Sequence, residues 1–172
     1  IKYYLEIYDL LLGIETISAL VALFYYPKLK YTYWKWFIIY LVFISSHELF
    51  WRFQTTLSSS IKTASFTFLA IPIQYIFFYW LYAYKSLKKK TLFFILFFLY
   101  LATYIPLSVF FSEAKNSFQI ILITGNVPLM ILILLELVKQ IKNDDILKFR
   151  ENNMFYIFIA MILFYVGTSP FY

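Results

Sequence analysis

The chain has 172 residues, 63% of them hydrophobic and 24% aromatic, with only 14% charged. A soluble domain is nearer half apolar and a quarter charged, so no single small core hides this excess and lipid must cover it. The net charge of +6 lies in short segments beside apolar runs, which points to membrane orientation and anionic headgroups and away from nucleic acid. The lack of cysteine excludes disulfides, thiolate nucleophiles and Cys-ligated metals, and a single histidine excludes a multi-histidine zinc site.

A bilayer core about 30 Å thick takes about 20 apolar residues of helix. Six runs fit: Tyr4–Tyr26, Trp34–Trp51, Ala64–Tyr84, Leu92–Phe111, Phe118–Val138 and Met154–Phe171. None alternates as a strand would, so the expected fold is all-α, a polytopic transmembrane helix bundle forming one domain over 1–172.

The first run is flanked by Glu6 and Asp9, not by a basic segment, and no small-residue cleavage site follows. It reads as a mature transmembrane helix and not as a signal peptide. Glu15 is its deepest acid, and Ser18, Ala19 and Ala22 share its face, a small face that allows close helix approach. Two readings stand: a proton- or cation-binding carboxylate (or the counter-charge of a ligand), and a protonated structural residue bonded to a neighbouring helix.

The second run carries Ser45, Ser46, His47, Glu48 and Arg52 toward its end. Glu48 and Arg52 have the spacing and order of an intrahelical ion pair. His47 suits a pH sensor or proton relay, or else a polar residue at headgroup depth. His47-Glu48 does not extend to a zinc protease motif, because the fourth residue after His47 is Trp51.

Runs three, four and five contain Pro72, Pro106 and Pro128, each of which removes one helical hydrogen bond and, like Gly125, marks an expected helix break. Gln74, Thr103 and Thr124-Gly125-Asn126 accompany them, and the last stretch is the best candidate for a locally unwound helix with free carbonyls. The similar depth of these residues suggests that Glu15, Glu48, Gln74 and Asn126 line one outward-facing cavity. Gly13-Ile14-Glu15 and Gly125-Asn126-Val127 hint at an internal repeat.

The gaps fix an expected orientation. Lys28, Lys30 and Lys35 follow run one; Lys85, Lys88, Lys89 and Lys90 follow run three; Lys139, Lys142, Lys148 and Arg150 follow run five. The other gaps and the N-terminal flank hold Lys2, Arg52, Lys62 and Lys115. Such a bias places the basic gaps in the cytoplasm and the N-terminus outside. Lys88-Lys89-Lys90 then serves first as a topology anchor, as do Lys28 and Lys30. Asp144-Asp145 sits among basic residues and reads as a solvated linker, not as a metal site. Six helices leave the C-terminal end outside, which suggests either a seventh helix beyond this sequence or a true six-helix protein. The heavy use of Phe, Tyr, Ile and Lys resembles the coding bias of an AT-rich bacterial genome.

Several segments carry a resemblance. Leu134-Leu135-Glu136-Leu137, Asp144-Asp145-Ile146-Leu147, Phe155-Tyr156-Ile157 and Phe164-Tyr165-Val166-Gly167 before Pro170-Phe171 occur toward the end, and Leu5-Glu6 and Tyr25-Tyr26-Pro27-Lys28-Leu29-Lys30 toward the start. Together they resemble a group of uncharacterised small bacterial multi-pass inner-membrane proteins of about seven helices, some similar to sensor-type membrane modules. That resemblance implies a sensing or accessory role and brings no activity with it.

With no catalytic set and no cofactor motif, the expected function is that of a non-enzymatic integral membrane protein. A receptor- or sensor-like or accessory subunit is the first expectation; a proton, ion or small-solute transporter or channel subunit is the alternative. The expected partners are the lipid bilayer and a membrane or cytoplasmic protein or a second copy of the chain, with no cofactor.

Overall fold

The computed structural model describes residues 2–110, 114–142 and 152–168. No strand occurs among them, and they form six helices that follow the six apolar runs. These are α1 (Lys2–Leu29), α2 (Trp34–Phe53), α3 (Ser59–Ser86), α4 (Lys90–Phe110), α5 (Ala114–Lys142) and α6 (Asn153–Thr168). Most outrun their apolar stretches by a few residues, because helix continues until a turn takes over its backbone bonds. After α1, for example, both the backbone N–H and the hydroxyl of Thr32 donate to the Leu29 carbonyl, at 2.9 and 2.8 Å. The expected Asp144-Asp145 linker and the chain end at Pro170 lie outside the described residues.

Four helical stretches are long and apolar enough to cross a membrane: Asp9–Leu29, Ser59–Ser86, Lys90–Ser108 and Phe118–Lys142. This marks a membrane protein. In α2, the polar stretch from Ser45 to Glu48, together with Arg52, dilutes an otherwise apolar helix.

The chain forms two compact units, residues 1–70 and 71–172, with the boundary inside α3. In the first unit α1 packs along α2. Leu12 and Ala19 are buried on α1, and Ile38 and Ser45 on α2, each pair two helical turns apart. In the second unit α3 is packed by both α4 and α5. Phe78, Tyr79, Leu81, Tyr82 and Ala83 of α3 are all buried, so this stretch has almost no exposed face. On α5 the buried positions Ile121, Gly125, Leu129, Leu132, Glu136 and Gln140 recur every three or four residues, as one face of a helix must. Met154, Phe158 and Met161 give α6 its own buried stripe.

Two stretches of α3, Phe66–Ala70 and Trp80–Ser86, are wound as π-helix. The first ends two residues before Pro72. A proline has no N–H for the carbonyl four residues back and its ring collides with that carbonyl, and a widened turn relieves both. The second ends where the Leu87 N–H reaches the Tyr82 carbonyl at 2.8 Å and the Lys89 N–H reaches that of Ala83 at 2.9 Å. Between them Lys88 takes a left-handed conformation, with φ of 55°.

The expected breaks at Pro106, Gly125 and Pro128 do not occur. Helix α4 continues through Pro106, and α5 continues through Gly125 and Pro128. A proline forfeits one hydrogen bond, whereas unwinding in apolar surroundings would strand several more.

Candidate functional site

The polar residues of the first unit meet across an antiparallel seam between α1 and α2. Asp9 and Thr16 are seven residues apart on α1, and Arg52 and Ser45 are seven apart on α2. Two helical turns on each side therefore bring both pairs into register. The Arg52 guanidinium donates to Asp9 through Nε at 2.7 Å and through the terminal nitrogen at 2.9 Å, a bidentate fork. Further along, the Ser45 hydroxyl faces that of Thr16 at 3.5 Å, while Thr16 donates to the Leu12 carbonyl of its own helix at 2.7 Å.

Between these rungs Glu15 of α1 and Glu48 of α2 face each other closely enough for their carboxyl groups to interact. Both residues are half-buried. Two bare carboxylates this close repel, and a proton or a cation between them would turn that repulsion into a bond. Lys62 of α3 lies near Glu48 and donates to the Trp51 carbonyl at 3.4 Å. On the Glu15 face Ala19 is buried as expected, whereas Ser18 is exposed and bonds back to Ile14. The i to i+4 spacing of Glu48 and Arg52 suggested a partnership within α2. Across the seam Glu48 reaches Glu15 and the Arg52 fork closes on Asp9, because the facing helix offers acids at the matching heights.

His47 belongs to a neighbouring cluster. Its Nε2 lies 2.8 Å from the Ser65 hydroxyl and accepts from the Trp51 indole at 3.2 Å, and the same indole N–H lies 3.1 Å from Ser65. An indole only donates, so the pattern assigns the ring proton to Nδ1, which is buried without a partner. Phe66 meets the imidazole edge-on at 4.7 Å.

The second unit holds Gln74 and Asn126. Gln74 is half-buried on α3, and the partner of Asn126 on that helix is Tyr75, whose hydroxyl donates to Asn126 Oδ1 at 2.6 Å. The Tyr75 hydroxyl also lies 3.2 Å from the Leu122 carbonyl, and Tyr79 donates to the Gly125 carbonyl at 2.8 Å. These tyrosines approach so closely because Gly125 has no side chain: a Cβ there would overlap Cε2, Cδ2 and Cζ of the Tyr75 ring. Its counterpart in the suggested repeat, Gly13, would meet nothing.

Glu136, which the sequence marks only within the resemblance, centres a buried network. The Ser86 hydroxyl donates to Oε2 at 2.7 Å, and Gln140 Nε2 and Lys139 Nζ reach Oε1 at 3.0 and 3.3 Å. Lys139 also donates to the Ser86 hydroxyl and carbonyl at 2.7 and 3.1 Å. Asn152 continues the chain, donating to Gln140 Oε1 at 3.2 Å and accepting from the Phe155 N–H at 3.2 Å as the cap of α6. The spacing Glu136, Lys139, Gln140 was the available signal, since these three share one helix face. Among the described residues, no group of three His, Asp or Glu side chains is placed to hold a metal ion.

The chain matches no family model, no curated protein and no solved structure.

Proposed function

We propose that this is a non-enzymatic multi-pass membrane protein of the receptor or sensor type, whose responsive element is the Glu15–Glu48 contact. The observation that carries this reading is the meeting of two carboxyl groups on different helices. With a proton or cation between them they bind α1 to α2; with both charged and bare they push the helices apart. A contact of that kind converts occupancy into a change of helix packing, which is what a sensor needs. The charge bias of the gaps supports a bacterial inner-membrane location with the N-terminus outside.

A transporter is the second reading. The Thr16 and Ser45 hydroxyls continue the polar seam beside the carboxyl pair and would suit the passage of a proton or small cation.

Glu15→Gln tests the first reading, because the amide supplies a donor to Glu48 without a titrating proton. In detergent, wild-type thermal stability should fall as rising pH strips the shared proton and leaves both carboxylates beside Lys62, whereas E15Q should respond much less. Identical pH profiles for the two proteins refute the responsive pair. Proton or sodium flux into proteoliposomes, lost in E15Q, would select the transporter reading; capture of a membrane or cytoplasmic protein by wild type but not E15Q, without flux, would select the sensor.

A further inference from the structure

The turn between α3 and α4 packs Lys85, Lys88, Lys89 and Lys90 into six residues, and Lys88, Lys89 and Lys90 are exposed. Glu136 is the only acid among the described residues of this unit, and it is buried against Ser86 and paired with the half-buried Lys139. The three exposed lysines therefore have no acidic partner among the described residues of this unit.

Lys88 adds a second observation. Its left-handed backbone, with φ of 55°, is a position that glycine occupies without strain and a lysine does not. A side chain kept in strained backbone calls for a role. A positive charge held at the tip of the turn supplies one.

The surroundings narrow the ligand. Lys85 and Lys90 both lie over the Tyr84 ring, at 5.3 and 5.6 Å from its centre, and Lys85 also lies 5.3 Å from that of Trp80. Rings of this kind mark the boundary between headgroups and acyl chains. Directly after the turn, Phe94 and Phe98 of α4 are exposed and stacked with centres 6.4 Å apart, forming an apolar track one turn long. A soluble anion would have no use for that track, whereas a phospholipid has both an anionic phosphate and acyl chains.

We infer that the Lys88–Lys90 turn and the Phe94–Phe98 face form a binding site for an anionic glycerophospholipid, its phosphate on the lysines and an acyl chain along the phenylalanines. The site is independent of the Glu15–Glu48 pair. Native mass spectrometry of the protein from neutral micelles doped with phosphatidylglycerol or phosphatidylcholine tests it. Wild type should retain phosphatidylglycerol preferentially. Each lysine near an anionic surface contributes about a fivefold change in affinity, so K88G/K89Q/K90Q should bind it about 100-fold more weakly. Lys88→Gly alone should bind about fivefold more weakly while unfolding no earlier than wild type, which separates binding from folding should the triple variant not fold. Equal retention of the two lipids by wild type, unchanged phosphatidylglycerol binding in K88G, or a thermal shift with inorganic phosphate matching that with phosphatidylglycerol would each overturn the site.

Discussion

Replacing Gly125 by alanine isolates the contact between α3 and α5 at its tightest point. The added methyl lands inside the Tyr75 ring, so the ring must move. Forcing extra volume into a packed interior costs about 1–3 kcal/mol. Moving the ring also strains the Tyr75 bonds to Asn126 and Leu122, and such bonds between membrane helices are worth about 0.6 kcal/mol each. Alanine recovers about 1 kcal/mol of helix propensity over glycine. The net expectation is a loss of about 2 kcal/mol, the packing term deciding the sign. Gly13 supplies the internal reference: its Cβ meets no neighbour, so Gly13→Ala keeps the propensity gain alone and should stabilise by up to about 1 kcal/mol. Equilibrium unfolding in mixed micelles, followed by far-ultraviolet circular dichroism across a denaturing-detergent series, measures both. Adding Tyr75→Ala to Gly125→Ala removes the colliding ring, and most of the penalty for the methyl should vanish in that background. The reasoning fails if Gly125→Ala is neutral or stabilising, or if its penalty survives the loss of Tyr75.

Two further expectations follow from the other networks. Glu136→Ala strips the acceptor from Ser86, Gln140 and Lys139 at once; breaking a buried pair costs about 3–5 kcal/mol, and with Lys139 32% exposed the lower end, about 3 kcal/mol, should appear in the same unfolding assay. Arg52→Ala should cost less than about 1 kcal/mol despite its ideal fork, because Arg52 and Asp9 are 42% and 47% exposed and solvated pairs contribute little, so a loss as large as that of Glu136→Ala would contradict this account.

The helices were legible because a bilayer imposes length and apolar character on each one separately. Run two, for instance, ends within two residues of α2 in the structure. What lies between helices was harder to read, since periodicity gives a residue its face but not its partner. Glu48 illustrates the limit: its own helix offered Arg52, and only the antiparallel register with α1 brings it to Glu15. Asn126 stands out in the sequence as polar within an apolar run, yet its partner is a tyrosine, a residue too common here to stand out. The three prolines share a chemistry but not an outcome, and the difference lies in backbone winding that composition does not encode. Glu136 entered only within a run of similar segments, because its spacing to Lys139 and Gln140 gives a shared helix face but not the Ser86 that faces it.

The seam between α1 and α2 bears on how the protein is made. Taken singly, α2 is a poor substrate for insertion: Glu48 and Arg52 each resist transfer into lipid, and His47 adds to the cost. Its companions are already present on α1, where Asp9, Glu15 and Thr16 stand at matching heights. Only four residues separate the two helices, so both fit within the same stretch of nascent chain. A hairpin of the two helices would carry most of these polar groups already matched, so that α1 would act as an escort for α2 at a membrane. Deleting α1 would then do more than remove one span: it would leave α2 stalled at the membrane surface during synthesis.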